Sequence, residues 1–232
     1  CTRNGVTLAS FTTVGGGNSY TATYTVVEGN TDRLAGASDF ISITLTDAAG
    51  NSNAAFTTLT ESSAQIIDAN SPTITSATVA GGTKKIGDVI TITVAADAAA
   101  YTLGTSTMNG VNLAGFNDGG GGSYTMTYTV ASGNTNRAAG ATPISIVLND
   151  AAGNANAAFT TLTESSAQTI DANAPVATTS ATVAGGTAKV GDQVTVTVVA
   201  GEAGLDCQTC TMNGGTLTSW TNTAGSTYTG VY

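Results

Sequence analysis

Oxygen-bearing side chains stand in short, matched groups along the chain: Asp68 with Asn70, Asp97, Asp150 with Asn154, then Asp171 with Asn173, and Glu202. Calcium takes about six to eight hard oxygen ligands from Asp and Asn side chains and backbone carbonyls, so these residues suit calcium wherever the fold gathers them. The same residues also make turns. In Asp-Ala-Ala-Gly-Asn (residues 150–154) Asp and Asn cap the turn through their own side chains, and Gly takes positive φ. Both readings stand at the level of sequence. A chain with 3 Cys and no His is poorly furnished for zinc.

Cys207 and Cys210 form a C-x-x-C. A thioredoxin-type redox motif needs an α/β setting and a helix N-terminus, so a short-loop disulfide in an oxidising compartment is expected. The remaining inventory is poor in catalytic groups. There is no His, no G-x-S-x-G, no phosphate loop and no carboxylate pair outside turn positions. Lys84, Lys85 and Lys189 fall in turns, away from the buried position an isopeptide cross-link needs. The expectation is a protein that is not an enzyme.

Fifteen acidic residues against six basic ones, a net charge of -9, argue against nucleic acid, whose phosphates call for basic patches. No run of about 20 apolar residues is present to insert in a membrane as a helix. N-x-Ser/Thr sequons are also missing.

The elements that must position these residues are strands. Roughly a fifth of the chain is Thr, a β-branched residue that favours extended backbone and keeps a solvent-facing strand wet. Val, Ile, Ala and 29 Gly supply most of the rest, a poor mixture for helices. Alternation predicts strands over 73–80, 89–96, 105–116, 124–130, 144–149 and 157–168, with Ile90, Ile92 and Val94 on one face and Thr91 and Thr93 on the other.

Segments recur 103 to 105 residues further on: Ser62–Pro72 (SSAQIIDANSP) as Ser165–Pro175 (SSAQTIDANAP), Ser76–Thr83 (SATVAGGT) as Ser180–Thr187, and Thr46–Phe56 (TDAAGNSNAAF) as Asn149–Phe159 (NDAAGNANAAF). Cys1, Ser106 and Cys210 share one repeat position. The chain thus reads as a partial module over 1–70 (later strands), a complete one over 71–173, and a partial one over 174–232 (earlier strands). It is expected to be a window on a longer tandem array. Aromatic residues keep the frame: Phe11, Phe116 and Trp220 match, as do Tyr20, Tyr124 and Tyr228, and Tyr24, Tyr128 and Tyr232. The expectation places them in a core; exposed in a row, they would bind glycans.

A period of this length with six or seven short strands specifies an all-β fold of tandem immunoglobulin-like β-sandwich modules, Greek-key type. The order GGTxKxGDxVTVTV, DAAGN, IDAxxP resembles the bacterial Ig-like repeats of large surface adhesins, including their extender modules, over nearly the whole chain. The resemblance implies an extracellular or cell-surface protein whose modules project a binding domain and are stiffened at their junctions, in many cases by calcium. In a sandwich of this kind Asp68, Asn70, Asp97, Asp150 and Asn154 would meet at the first junction. Asp171, Asn173 and Glu202 would take the matching places at the next, while Asp88 and Asp192 at the opposite end would reach the following linker. The expected partners are neighbouring modules of the same chain or other copies in a fibre. A self-assembling filament, sheath or surface layer is the alternative function, and glycan-binding accessory modules a second.

Overall fold

The computed structural model describes residues 1–37, 41–176 and 178–232. Every regular element among them is a strand; no helix occurs among the described residues. The protein is all-β, built from several small sheets. Two compact units divide the chain. The first comprises Cys1–Lys84, Asp88–Thr129 and Arg137–Thr169, the second Lys85–Gly87, Val130–Asn136 and Ile170–Tyr232.

The first unit is organised by strand Val89–Ala96. Its Ile90, Ile92 and Val94 are 2%, 0% and 1% exposed while Thr91 and Thr93 face solvent, as period-2 alternation requires. Each buried Ile or Val contributes about 1.5–3 kcal/mol of apolar burial. On one side lies strand Ser123–Thr129, antiparallel, with Tyr124 opposite Val94, Met126 opposite Ile92 and Tyr128 opposite Ile90. On the other lies Ile74–Val79, with Ala77 opposite Val94 and Val79 opposite Ile92. Ala114–Asp118 and the short, parallel Thr163–Glu164 complete a five-stranded sheet.

Smaller ladders carry the rest of this core. Thr107–Met108 pairs with Val111–Asn112 and with Ile144–Ser145, and Leu148–Asn149 pairs with Thr102–Leu103. They bury Met108, Leu113, Ile144, Ile146 and Leu148. Tyr hydroxyls tie them to the large sheet: Asn109 Nδ2 donates to Tyr128 Oη at 3.2 Å, and the Tyr101 amide to Tyr124 Oη at 3.1 Å. These strands are expected of a sandwich.

Three predicted strands differ from the observed ones; 144–149 is split into Ile144–Ser145 and Leu148–Asn149, which pair with different partners. Residues 105–116 are interrupted at Asn109 and Gly110, with φ of 54° and 77°, the left-handed pair of a two-residue hairpin turn. The same turn returns at Asn4–Gly5 and Asn213–Gly214. Over 157–168 only Thr163–Glu164 and the start of Gln168–Asp171 are strand. The cause lies just upstream. The Asn156 amide group accepts from Leu148 N–H at 2.6 Å and donates to the Ile146 carbonyl at 3.2 Å, occupying ladder groups that a backbone strand would use.

Also in the first unit, Thr2–Arg3 lies between Val6–Thr7 and Ile41–Ser42, and Ala9–Val14 pairs with Ser19–Thr23. The second unit contains a four-stranded sheet ordered Ser180–Val183, Thr195–Val199, Thr227–Val231, Thr218–Ala224, and a hairpin of Thr211–Met212 with Gly215–Thr216.

Candidate functional site

Residues 68–71, where the first repeat copy passes into the middle one, are held by side chains distant in sequence. Ala69 is 4% exposed, so its backbone groups need partners within the protein. Its carbonyl accepts from Gly29 N–H at 2.8 Å, and its own N–H donates to Asp32 Oδ1 at 2.8 Å. Asp32 Oδ2 accepts from Asn70 Nδ2 at 2.8 Å. Glu28 then holds Ser71 twice, accepting from its N–H at 3.1 Å and from its hydroxyl at 2.7 Å. From the middle copy, Asn154 Nδ2 donates to the Asp68 carbonyl at 3.1 Å. The linker is therefore gripped by loops of both flanking repeats.

The gripping loop has its own local logic. Asn30 Oδ1 accepts from Val27 N–H at 3.0 Å, and Gly29 takes φ of 79° to close the turn. Arg33 Nε donates to Asn4 Oδ1 at 2.9 Å, which fastens the loop to the Asn-Gly hairpin. The middle copy repeats the arrangement. Asn134 Oδ1 accepts from Ala131 N–H at 2.9 Å, and Arg137 Nε donates to Asn109 Oδ1 at 2.7 Å. Ala172, 0% exposed, receives Gly133 N–H at 3.0 Å and donates to Asn136 Oδ1 at 2.7 Å.

The proposed oxygen ligands fall as follows. Asp150 and Asn154 are together: Asp150 Oδ1 accepts from the N–H groups of Ala152, Gly153 and Asn154, and its Oδ2 from Asn154 Nδ2 at 2.8 Å. Burial alone would raise the Asp150 carboxyl, but these donors outweigh it and hold it below its ordinary value. Asp97 Oδ1 accepts from Thr73 N–H at 2.9 Å and from the Tyr101 hydroxyl at 3.0 Å. Burial, helped by this bond and the Asp97 charge, pushes the Tyr101 phenol up to about 12. Asp68 Oδ1 accepts from Asn70 N–H at 3.4 Å, and Asp171 Oδ1 from Asn173 N–H at 3.2 Å. Glu202 is exposed and offers Tyr228 Oη its backbone carbonyl at 3.3 Å, the role Ala98 plays for Tyr124. Asp192 accepts from Lys189 N–H within its own turn at 3.0 Å.

Among the described residues no three carboxylate, thiol or imidazole side chains are grouped to hold one metal ion. The acids do feel one another. The Glu28 carboxyl is held low by the Ser71 hydroxyl and then the Ser71 N–H, against opposing burial and the charges of Asp150 and Asp32. Sequence reasoning passed over Glu28, Asp32 and Asn136. The signal that would have found Asp32 and Asn136 is the recurrence of Gly-Asn-Thr-Asp/Asn-Arg at 29–33 and 133–137; Glu28, matched by Ser132, carries no such signal.

Cys207 and Cys210 are joined in a disulfide with Cα atoms 5.9 Å apart, and Cys1 is a free, exposed thiol. Of the aromatic positions, Tyr124, Tyr128 and Tyr228 are buried, and Trp220 stacks on Tyr228 at 5.3 Å. Phe11 and Tyr20 stack on each other at 5.2 Å but are 42% and 48% exposed. Tyr124 and Tyr228 lie on strands flanked on both sides, whereas Ser19–Thr23 is paired on one side only among the described residues.

Fold and site together define an all-β protein of several small sheets, in which Ala69 and Ala172 are each held by a matching Gly-Asn-Thr-Asp/Asn-Arg loop. No protein-family model, curated protein or solved structure matches the chain. No described helix is long and apolar enough to cross a membrane.

Proposed function

We propose that this chain is a structural repeat region of an extracellular surface adhesin or fibre, without catalytic activity of its own. Its repeats are Ig-like sandwiches of Greek-key type, and it acts as a spacer stiffened where one module meets the next. The observation carrying this reading is the double grip on residues 68–71, by Glu28 and Asp32 from one side and Asn154 from the other. A flexible tether has no use for a buried alanine whose two backbone groups are both satisfied by a neighbouring loop. The return of the same grip on Ala172 makes it a property of the repeat.

Calcium belongs to this proposal as a second source of stiffness. The Glu28 carboxylate feels the charges of Asp150 and Asp32, and an added divalent cation would offset that repulsion. The test is small-angle scattering on the full chain with calcium and with chelator, beside a Glu28→Ala/Asp32→Ala variant. The expected result is a rigid particle that the double variant loosens. A profile that the variant leaves unchanged overturns the junction-stiffened spacer, and one that chelator leaves unchanged removes calcium from it.

A further inference from the structure

The first and last stretches of the middle copy lie side by side. Strand Ile74–Val79 and residues 163–169 run parallel, with Thr163 beside Thr78 and Glu164 beside Val79. The contact continues past the ladder. Ser165 N–H donates to the Val79 carbonyl at 2.9 Å, Gly82 N–H to the Ala167 carbonyl at 2.8 Å, and Gln168 Nε2 to the Ala80 carbonyl at 2.7 Å. Thr169 Oγ1 donates to Thr83 Oγ1 at 3.1 Å.

Two features make this contact close and fixed. The backbones approach so nearly at Gly81 that a Cβ there would stand 2.3 Å from the Ser166 carbonyl oxygen. Gln168 is 0% exposed, and the Glu164 carboxylate braces it. Glu164 Oε2 accepts from Gln168 N–H at 2.8 Å, and Oε1 accepts from Gly140 N–H at 2.9 Å. The first copy has the same brace: Glu61 Oε2 accepts from Gln65 N–H at 3.1 Å and from Gly36 N–H at 3.4 Å.

We propose that this contact is a mechanical clamp, through which the middle copy resists unfolding when the chain is stretched. Tension along the chain pulls Ile74 from one end of the parallel pair and Thr169 from the opposite end. The two stretches must then slide along one another, and every bond between them is loaded at once. The antiparallel pairing of Ile74–Val79 with Val89–Ala96 is arranged otherwise. Tension across its near ends would part Ile74 from Ala96 first and then each following pair in turn. Forced unfolding follows the unfolding rate rather than the overall free energy, so the contact loaded in shear sets the tension the copy bears. The inference rests on the spacer reading, since a chain held at two points is what carries tension.

The test pulls the full chain by two introduced thiols, after Cys1→Ser has removed the free one and with the Cys207–Cys210 disulfide closed. Thr73→Cys with Ala174→Cys, both exposed positions, loads the parallel contact in shear. Thr73→Cys with Ala99→Cys, also exposed, loads the same fold across the near ends of the antiparallel pair. At one pulling speed the first geometry is expected to give a peak force about twice that of the second or more. Its rupture should release about 100 residues in one step, roughly 35 nm of chain. Gln168→Met keeps the buried volume and removes the bond to the Ala80 carbonyl. Under fixed tension it should unfold roughly fivefold faster in the first geometry and at the unaltered rate in the second. Equal peaks in the two geometries, or a Gln168→Met protein that yields no sooner in shear, overturn the clamp. The comparison of geometries uses an unaltered core, so it decides even where Gln168→Met fails to fold. Scattering from the untethered chain judges the junctions by themselves. A failed clamp therefore leaves the stiffened spacer standing, and a loose junction leaves the force measurement unchanged.

Discussion

Replacing Asp32 with Ala removes both carboxylate oxygens from the linker. The consequential loss is at the Ala69 N–H, which belongs to a residue 4% exposed and donates to Asp32 Oδ1 at 2.8 Å. Leaving a buried donor unpaired costs about 1–3 kcal/mol, whereas the second bond, to the exposed Asn70 side chain, contributes little. A local destabilisation of about 2 kcal/mol follows, which is roughly a thirtyfold rise in the open fraction of the linker. Native-state hydrogen exchange at the Ala69 amide reads that ratio directly. Asp32→Asn is the control, because Asn136 makes the same bond to Ala172 at 2.7 Å. It should retain most of the protection. Unchanged exchange in Asp32→Ala would show that the carboxylate does not hold the linker, and an Asn variant as damaged as the Ala variant would show that charge, rather than the bond, is what matters.

The pH profile of stability has two limbs. The carboxyls of Glu28, Asp47 and Asp150 are held below their ordinary values of 4.5, 3.8 and 3.8, so the folded chain binds fewer protons than the unfolded one in acid. Their contribution is present above those values and disappears as pH falls through the lowered ones. Tyr101, pushed from 10.0 to about 12, keeps its proton in the fold, so its contribution holds below 10 and is lost on the way to 12. Urea midpoints across pH should show both limbs, with the alkaline one weakened in Tyr101→Phe; a flat profile above pH 10 would contradict it. Separately, a Cβ at Gly81 would sit 2.3 Å from the Ser166 carbonyl oxygen, so Gly81→Ala must part the strand containing Val79 from residues 163–166. A loss of about 2 kcal/mol or more is expected in chemical denaturation, against under about 1 for Gly153→Asn, whose position is open and left-handed.

Repetition and alternation made most of the sheet readable. Val89–Ala96 lies where its Ile-Thr-Ile-Thr-Val pattern places it, because a two-faced strand has only one register that hides Ile90, Ile92 and Val94. The pattern failed where side chains compete for backbone groups. Asn109–Gly110 carries hairpin-turn residues inside a run that otherwise alternates, and Asn156 takes over ladder positions before Phe159. At the linker, the sequence marked the acids without marking their partners. Asp97 and Asp150 are spent on Thr73 and on their own turn, whereas the residues that hold Ala69 and Ser71 come from about 40 positions upstream. Nothing local to Asp32 announces a long-range acceptor; only its return as Asn136 does.

That substitution also separates what the junctions share from what differs between them. The common part is neutral: a left-handed glycine donating to a buried alanine carbonyl, and a side-chain oxygen accepting the same alanine's N–H. The charge is particular to residues 68–71, which Glu28 and Asp32 hold; the positions that match these two in the next repeat are Ser132 and Asn136. A hydrogen bond to an amide oxygen is indifferent to cations and to mild acid, while one to a carboxylate among other carboxylates is not. Stiffness at residues 68–71 is therefore expected to respond to pH and divalent ions, and the grip on Ala172 is expected to persist without them. If such copies form an array, the exchange of Glu28 and Asp32 for Ser and Asn would set which joints respond to acid, through the lowered Glu28 carboxyl, and which stay fixed.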